Sequence, residues 1–239
     1  MIRLAALFDA TAATPQLLAG VAAKLGVRVG DLQVHSIEDR AWERECLADF
    51  HAMRFGRRLW ICPRHEACPD PNGVFVQLDP GLAFGTGTHP STALCLEWLD
   101  AATLERCRMI DYGCGSGILS LVAAKLGAAQ VYAFDIDPQA CLATRENAAS
   151  NNLATCVHVR ESEAQLPRPC DLLIANILSE AHCRLAEHYA RLLAPGAQLV
   201  LAGILAGQQD EVAAACSAWF DMEPIGARDG WIALGGTKC

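Results

Sequence analysis

The chain has 239 residues, of which 52% are hydrophobic and 19% charged, a composition typical of a folded globular protein and not of a disordered or fibrous one. No apolar run approaches the roughly 20 residues of a membrane-spanning helix, and a formal net charge of −8 disfavours nucleic acid and favours a basic protein as partner. Twelve cysteines are scattered without a CxxC pair, which indicates reduced thiols in a cytoplasmic protein and no metal site.

The amino-terminal part, residues 1–61, predicts a small α/β unit. In chain order we expect strand 2–8, helix 14–26, strand 32–37 and helix 38–50. Thr14 suits the cap of the first helix, Pro15 its first turn and Gly26 its end. Residues 62–73, CPRHEACPDPNG, are rich in proline and polar residues and predict a linker or long loop.

From residue 74 to residue 239 the pattern alternates between strands and helices, which indicates one larger domain. The predicted strands are 74–78, 108–112, 130–134, 156–160, 171–175, 198–203 and a closing pair within 220–234. The predicted helices are 91–103, 116–126, 138–150, 180–193 and 207–218. Such alternation is typical of an α/β fold with a doubly wound, mostly parallel sheet. The last two strands, separated only by Asp229, predict an antiparallel edge hairpin.

The stretch DYGCGSGIL at 111–119 is a glycine-rich turn between a predicted strand and a predicted helix, the usual ligand-binding turn of such sheets. Its glycines follow a GxGxG pattern, and Ile118 stands where a dinucleotide fingerprint has a small residue. Asp111 would repel a pyrophosphate but attract an amino group. A nicotinamide oxidoreductase is therefore disfavoured.

A second acid, Asp135 in the stretch AFDIDP, directly follows the next predicted strand. A carboxylate at this position can accept hydrogen bonds from both ribose hydroxyls of a nucleoside. Together with Asp111 it predicts a nucleoside with a cationic amino-acid tail, namely S-adenosylmethionine. Structural roles stay open for both acids, because Asp111 can act as a helix cap and Asp135 can cap the helix that begins at Pro138.

These motifs resemble the class I methyltransferase fold, a Rossmann-like seven-stranded sheet. LDPGLAFGTGTHPST, IDYGCGSGIL, FDIDPQA and IANIL together resemble the ribosomal protein L11 methyltransferase family (PrmA). The upstream WERECLADFHAMRFGRRLWICP resembles that family's linker region, so the likeness runs from about residue 38 nearly to the end. The resemblance implies methyl transfer from S-adenosylmethionine to lysine side chains and the terminal α-amine of protein L11.

The resemblance also implies the site residues. Cofactor contacts are expected from Thr92, Gly113, Asp135 and Asn176, and the same pocket is expected to include Phe84, Gly85, Thr86 and Gly115, beside Asp111. Asn176 is also expected to orient the attacking amine. Amino-methylating relatives carry an (N/D)PPY motif here, and the absence of its prolines and tyrosine disfavours methylation of nucleic-acid bases. His89 has two open interpretations, orientation of the loop or a structural role.

The chain departs from this family at its amino terminus, which is expected to be a shortened version of the recognition domain. We expect a monomer that contacts neither membrane nor nucleic acid directly. Two alternatives stay open: a methyltransferase of the same fold that acts on another protein or a small amine, and a ribosome-associated binding module without turnover.

Overall fold

The computed structural model describes residues 14–34, 50–78, 85 and 87–239, and the chain divides into two compact units, 1–42 and 43–239. In the first unit, helix α1 (Pro15–Leu25) begins at Thr14, whose hydroxyl accepts a hydrogen bond from the backbone N–H of Leu17 at 3.3 Å. Gly26 ends the helix in the left-handed conformation. The predicted helix and both caps are confirmed.

The other predicted elements of the first 50 residues are described only in part. Residues 32–34 form no strand, and the rest of the predicted strand 32–37 lies outside the described residues. The same holds for the predicted strand 2–8 and, apart from Phe50, for the predicted helix 38–50. A short 3-10 turn at Val29–Asp31 follows α1 instead.

The second unit carries ten strands and five helices within the described ranges. The strands are β1 (Met53–Phe55), β2 (Leu59–Cys62), β3 (Val74–Gln77), β4 (Arg108–Tyr112), β5 (Gln130–Phe134), β6 (Val157–Arg160), β7 (Cys170–Asn176), β8 (Leu193–Leu205), β9 (Phe220–Arg228) and β10 (Trp231–Lys238). The helices are α2 (Pro90–Ala101), α3 (Ile118–Lys125), α4 (Pro138–Ser150), α5 (Ser179–Leu192) and α6 (Gln209–Cys216).

A small three-stranded sheet precedes the main one and was not predicted. β2 pairs with β1 in antiparallel and with β3 in parallel orientation. Residues 63–73 are therefore a loop that joins two hydrogen-bonded strands, and Cys62, predicted to begin that loop, ends β2. The apolar side chains of this sheet belong to the same core cluster as Leu96 of α2. The chain divides between residues 42 and 43, and this small sheet packs with the larger unit. The functional boundary at residue 61 stays a prediction.

The main sheet has seven strands in the order β6-β5-β4-β7-β8-β10-β9. β4 to β8 are parallel, and β10 lies antiparallel between β8 and β9. Asp229 and Gly230 join the last two strands, both with positive φ, as a two-residue hairpin of primed type requires. The predicted α/β class, the mostly parallel seven-stranded sheet and the antiparallel edge hairpin are confirmed.

Two apolar clusters cover the two faces of this sheet, because successive side chains of a strand point to opposite faces. Met109 of β4 faces the cluster that includes α2 and α3, whereas Ile110 faces the cluster that includes α5 and α6. Leu172 and Leu173 of β7 divide in the same way. None of the helices in the described ranges is long and apolar enough to cross a membrane.

Candidate active site

The candidate site lies at the carboxyl edge of the main sheet, where the strand order reverses. From β4 the chain continues outward through β5 to β6, and then returns to the other side of β4 to form β7. Parallel sheets bind ligands beyond such a point, because the loops that follow the two central strands diverge there. Gly113, Asp135 and Asn176 each follow directly after, or end, one of the three central strands β4, β5 and β7.

The glycine turn after β4 has the backbone conformation that its sequence indicated. Gly113, Gly115 and Gly117 all have positive φ, between 54° and 81°, where side chains other than glycine are strained. A Cβ at Gly113 would lie 2.4 Å from Cγ2 of Ile177, so close packing against the loop after β7 also excludes a side chain. This turn delays the start of α3 to Ile118, two residues after the predicted position.

Asp135 holds the turn from the neighbouring strand. Its Oδ2 accepts a hydrogen bond from the N–H of Gly115, and its Oδ1 accepts one from the N–H of Asp137, both at 3.0 Å. The cap of α4 is Asp137, whose carboxylate accepts from the N–H of Gln139 at 2.9 Å. Asp135 therefore does not cap that helix, and each of its oxygens keeps acceptor capacity for a further donor.

Asp111 is fully buried and faces the first turn of α3. Its Oδ2 accepts from the Ser120 backbone N–H at 3.0 Å and from the Ser120 hydroxyl at 2.7 Å. This is the capping role that the sequence left open. Oδ1 is buried without a hydrogen-bond partner. Burial raises the pKa of Asp111 to about 6, the bonds from Ser120 act against this, and the nearby Asp135 carboxylate adds to it.

Asn176 and Thr92 come together although 84 positions separate them in the sequence. The Nδ2 of Asn176 donates a hydrogen bond to the buried hydroxyl of Thr92, in the first turn of α2, at 3.1 Å. Because Nδ2 donates this bond, Oδ1 is the acceptor that Asn176 can offer to another group. The structure thus brings the predicted residues of α2 and β7 to one point.

The second glycine-rich loop approaches the turn after β4 through Gly85, whose carbonyl accepts a hydrogen bond from the Ser116 hydroxyl. Phe84 and Thr86, the other predicted residues of this loop, lie outside the described residues. His89 caps α2 by accepting from the Ser91 N–H, and its ring lies edge-on to Trp231 at 4.6 Å between centroids. These contacts give His89 a structural role at the start of α2.

Three residues next to the predicted ones were missed. The Ser116 hydroxyl donates a hydrogen bond to the Gly85 carbonyl. Gly203 lets Ile177 and Asn176 pack directly against the β8 backbone, and His182 contacts the carbonyl of Ala202 in β8. Ser116 stands inside the glycine motif and could have been suspected from its position. Gly203 and His182 carry no signal in the sequence, because their contacts depend on which strand lies next to β7.

No cluster of three possible metal ligands occurs within the residues that the structure describes. Cys62, His65 and Cys68, the nearest approach to such a set in the sequence, do not form such a cluster. Glu66 in the same loop instead accepts hydrogen bonds from His51, at 2.8 Å, and from the N–H of Ala52, at 3.0 Å. The loop is thereby attached to the segment that precedes β1.

Comparison with known proteins decides the family. The family model described as ribosomal protein L11 methyltransferase (PrmA) matches residues 1–239. The chain belongs to the PrmA family. Proteins named ribosomal protein L11 methyltransferase from Pseudomonas aeruginosa and Ectopseudomonas mendocina are 48% and 46% identical to it. Both alignments cover 98% of this chain, and they cover 80% and 81% of the two relatives.

Solved structures agree with this assignment. The ribosomal protein L11 methylase from Lactobacillus delbrueckii subsp. bulgaricus is 30% identical, with a TM-score of 0.72 over 79% of this chain and 99% of that protein. Magnesium protoporphyrin IX methyltransferase from Synechocystis, solved with bound S-adenosylmethionine, is 20% identical, with a TM-score of 0.51 over 60% of this chain and 76% of that protein. At this identity the second likeness concerns the fold alone, which confirms the class I methyltransferase fold for this PrmA member.

S-adenosylmethionine is the methyl donor of this PrmA protein, and the chemistry of the site fits it. The Asp135 carboxylate has acceptor capacity for ribose hydroxyls, and the buried Asp111 Oδ1 has no protein partner. An unpaired buried acceptor is costly, and a cationic group would compensate it. The assignment of individual cofactor contacts to Asp111, Thr92, Gly113, Gly115 and Asp135 stays a prediction.

Proposed function

We propose that this chain transfers methyl groups from S-adenosylmethionine to lysine side chains and to the terminal α-amine of ribosomal protein L11. Membership of the PrmA family over the whole chain supports the reaction and the substrate. The observation that carries the assignment of the site is the meeting of Asn176 with Thr92 beside the glycine turn. There, one acceptor oxygen stands at the carboxyl end of β7, next to the switch point of the sheet.

The target nitrogen must be neutral in order to attack. A lysine ammonium has a pKa of about 10.4 and carries no lone pair while protonated. When bound, S-adenosylmethionine supplies an electrophilic methyl carbon on a positively charged sulfur. We infer that Asn176 accepts a hydrogen bond from the neutral amine through Oδ1 and so directs its lone pair. Because the donor is already activated, positioning supplies most of the rate and no dedicated base is needed.

The remaining assignments concern domains and partners. We propose that residues 1–61, with the loop 62–73, serve substrate recognition, and that residues 74–239 bind the cofactor and catalyse transfer. We also propose that the protein acts as a cytoplasmic monomer without direct contact to nucleic acid. The net charge of −8 supports this last point, because it repels phosphates and attracts a basic ribosomal protein.

The experiment is mass spectrometry of unmethylated L11 after incubation with the full chain and S-adenosylmethionine. Mass increments of whole methyl groups, which accumulate more slowly but measurably in Asn176→Ala, are the expected result. A folded wild-type protein that binds S-adenosylhomocysteine but leaves L11 unchanged contradicts the substrate assignment. Methylation of another protein or of a small amine would then identify the alternative enzyme, and absence of any turnover would identify a binding module.

A further inference from the structure

His182 is a buried polar side chain close to the candidate site, and the proposed chemistry does not use it. It lies in the first turns of α5 and is completely inaccessible to solvent. A buried imidazole is costly unless its ring nitrogens have hydrogen-bond partners. Its partners therefore show which part of the fold the ring stabilises.

Both ring nitrogens of His182 have partners. Nε2 lies 2.9 Å from the carbonyl oxygen of Ala202, which can only accept, so Nε2 carries the proton. Nδ1 lies 3.3 Å from the hydroxyl of Tyr189, which then donates. Burial lowers the pKa of His182 to about 4, and hydrogen bonds with the backbone of Ala202 and Ile177 only partly oppose this. The ring is neutral at physiological pH.

These contacts meet the loop that carries Asn176. Ala202 of β8 is the register partner of Asn176 in β7, so the bond from His182 holds the strand position beside it. The next residue, Gly203, has a φ of 81°, and a Cβ there would lie 2.2 Å from the Ile177 carbonyl oxygen and 3.1 Å from Oδ1 of Asn176. Both oxygens thus rest over the Gly203 backbone.

Asn176 is held on two sides by this arrangement. On the side of α2, the Thr92 hydroxyl accepts a hydrogen bond from Nδ2 of Asn176. On the other side, the β8 backbone at Ala202 and Gly203 lies against its Oδ1. The imidazole of His182 joins that backbone to α5 and also contacts Ile177. A shift of β8 would turn the carboxamide, because the Thr92 bond alone does not fix the position of Oδ1.

We infer that His182 is a positioning residue for methyl transfer, which holds the ends of β7 and β8 so that Oδ1 of Asn176 faces the reacting amine. The inference rests on the proposed function of Asn176. It gives His182 no direct contact with substrate or cofactor. It also predicts that the effect of changing His182 passes through Asn176 and disappears when that side chain is absent.

The test compares two substitutions in the full chain. His182→Gln keeps an amide N–H that can reach the Ala202 carbonyl, whereas His182→Leu keeps apolar volume and removes the donor. We expect His182→Leu to lower kcat for L11 methylation roughly 10- to 100-fold, because the buried Ala202 carbonyl loses its donor and the ends of β7 and β8 are no longer held in place. His182→Gln is expected to keep most of the wild-type kcat. His188→Leu, on the same helix but paired with Glu163, is the matched control and should leave kcat unchanged.

The decisive measurement is a double-mutant cycle with Asn176→Ala, read in kcat and in the Kd of S-adenosylhomocysteine. If His182 acts through Asn176, His182→Leu changes both quantities in the wild-type background and changes them by less than about 2-fold when Asn176 is already alanine. Equal effects in the two backgrounds, or an effect on thermal stability alone, overturn the inference.

The same cycle separates this inference from the proposed function. A wild-type protein that binds S-adenosylhomocysteine without methylating L11 contradicts the substrate, while the Kd values still decide the role of His182. If His182→Leu does not fold, Tyr189→Phe removes only the donor to Nδ1 and replaces it in the cycle. Unchanged kcat and unchanged Kd in a folded Tyr189→Phe protein would then count against positioning by this ring.

Discussion

Replacement of Asp135 by alanine is the most direct test of the nucleoside assignment. Its two oxygens each accept one backbone N–H at 3.0 Å, from Gly115 and Asp137, so the carboxylate is already oriented before a ligand binds. Two ribose hydroxyls would add two hydrogen bonds to a charged acceptor, each worth about 1.5–3 kcal/mol. Asp135→Ala should therefore weaken binding by about 3–6 kcal/mol, or roughly 10²- to 10⁴-fold.

Isothermal titration calorimetry with S-adenosylhomocysteine measures this loss. Asp137→Ala is the matched control, because it removes a neighbouring carboxylate that only caps α4. That control should cost about 1 kcal/mol of folding stability and leave the affinity unchanged. A folded Asp135→Ala protein whose Kd stays within about 3-fold of the wild-type value would refute the reasoning, since two charged hydrogen bonds cannot disappear without a larger effect.

Three further predictions concern stability, each measured by urea denaturation. The folded state raises the pKa of Asp111 from 3.8 to about 6, so folding takes up protons between these two pH values. The stability of the fold therefore falls as pH rises from about 4 to about 6. Asp111→Asn should remove about 3 kcal/mol of that decrease. Persistence of the full slope in the variant would assign it to other groups. Gly113→Ala should cost about 2–4 kcal/mol through left-handed strain and the clash with Ile177, and a neutral result would mean that the loop after β7 moves aside. Asp100→Ala should cost about 2–3 kcal/mol, because the buried carboxylate accepts from the Arg57 N–H at 2.6 Å, and a smaller cost would mean that water replaces it.

Most of the larger domain followed from local signals. β4 and β5 and helix α4 have the predicted bounds, because proline, glycine and the change between apolar periods mark their ends. The β1–β2 hairpin was missed, since its strands are only three and four residues long and β3, the parallel neighbour of β2, follows only after an 11-residue loop. Such short strands are stable through the side chains they share with the larger core, which no local pattern records.

The sequence by itself determined the class of fold, the cofactor turn and the family. The cofactor turn could be predicted from the glycines at 113, 115 and 117 and the acids at 111 and 135, because backbone conformation and charge are local properties. The sequence left a capping role open for each acid. The structure shows Asp111 bonded to Ser120 in the first turn of α3, and it shows that Asp137, not Asp135, caps α4.

Only the tertiary structure decided what surrounds Asn176. Thr92 of α2 and Gly203 of β8 contact it, and His182 of α5 contacts the neighbouring Ala202. These contacts depend on strand order and register. A one-residue shift in register would turn every side chain of a strand to the opposite face. The contacts proposed to direct an amine therefore arise from the packing of distant segments, whereas the turn predicted to bind the cofactor depends on one short stretch of chain.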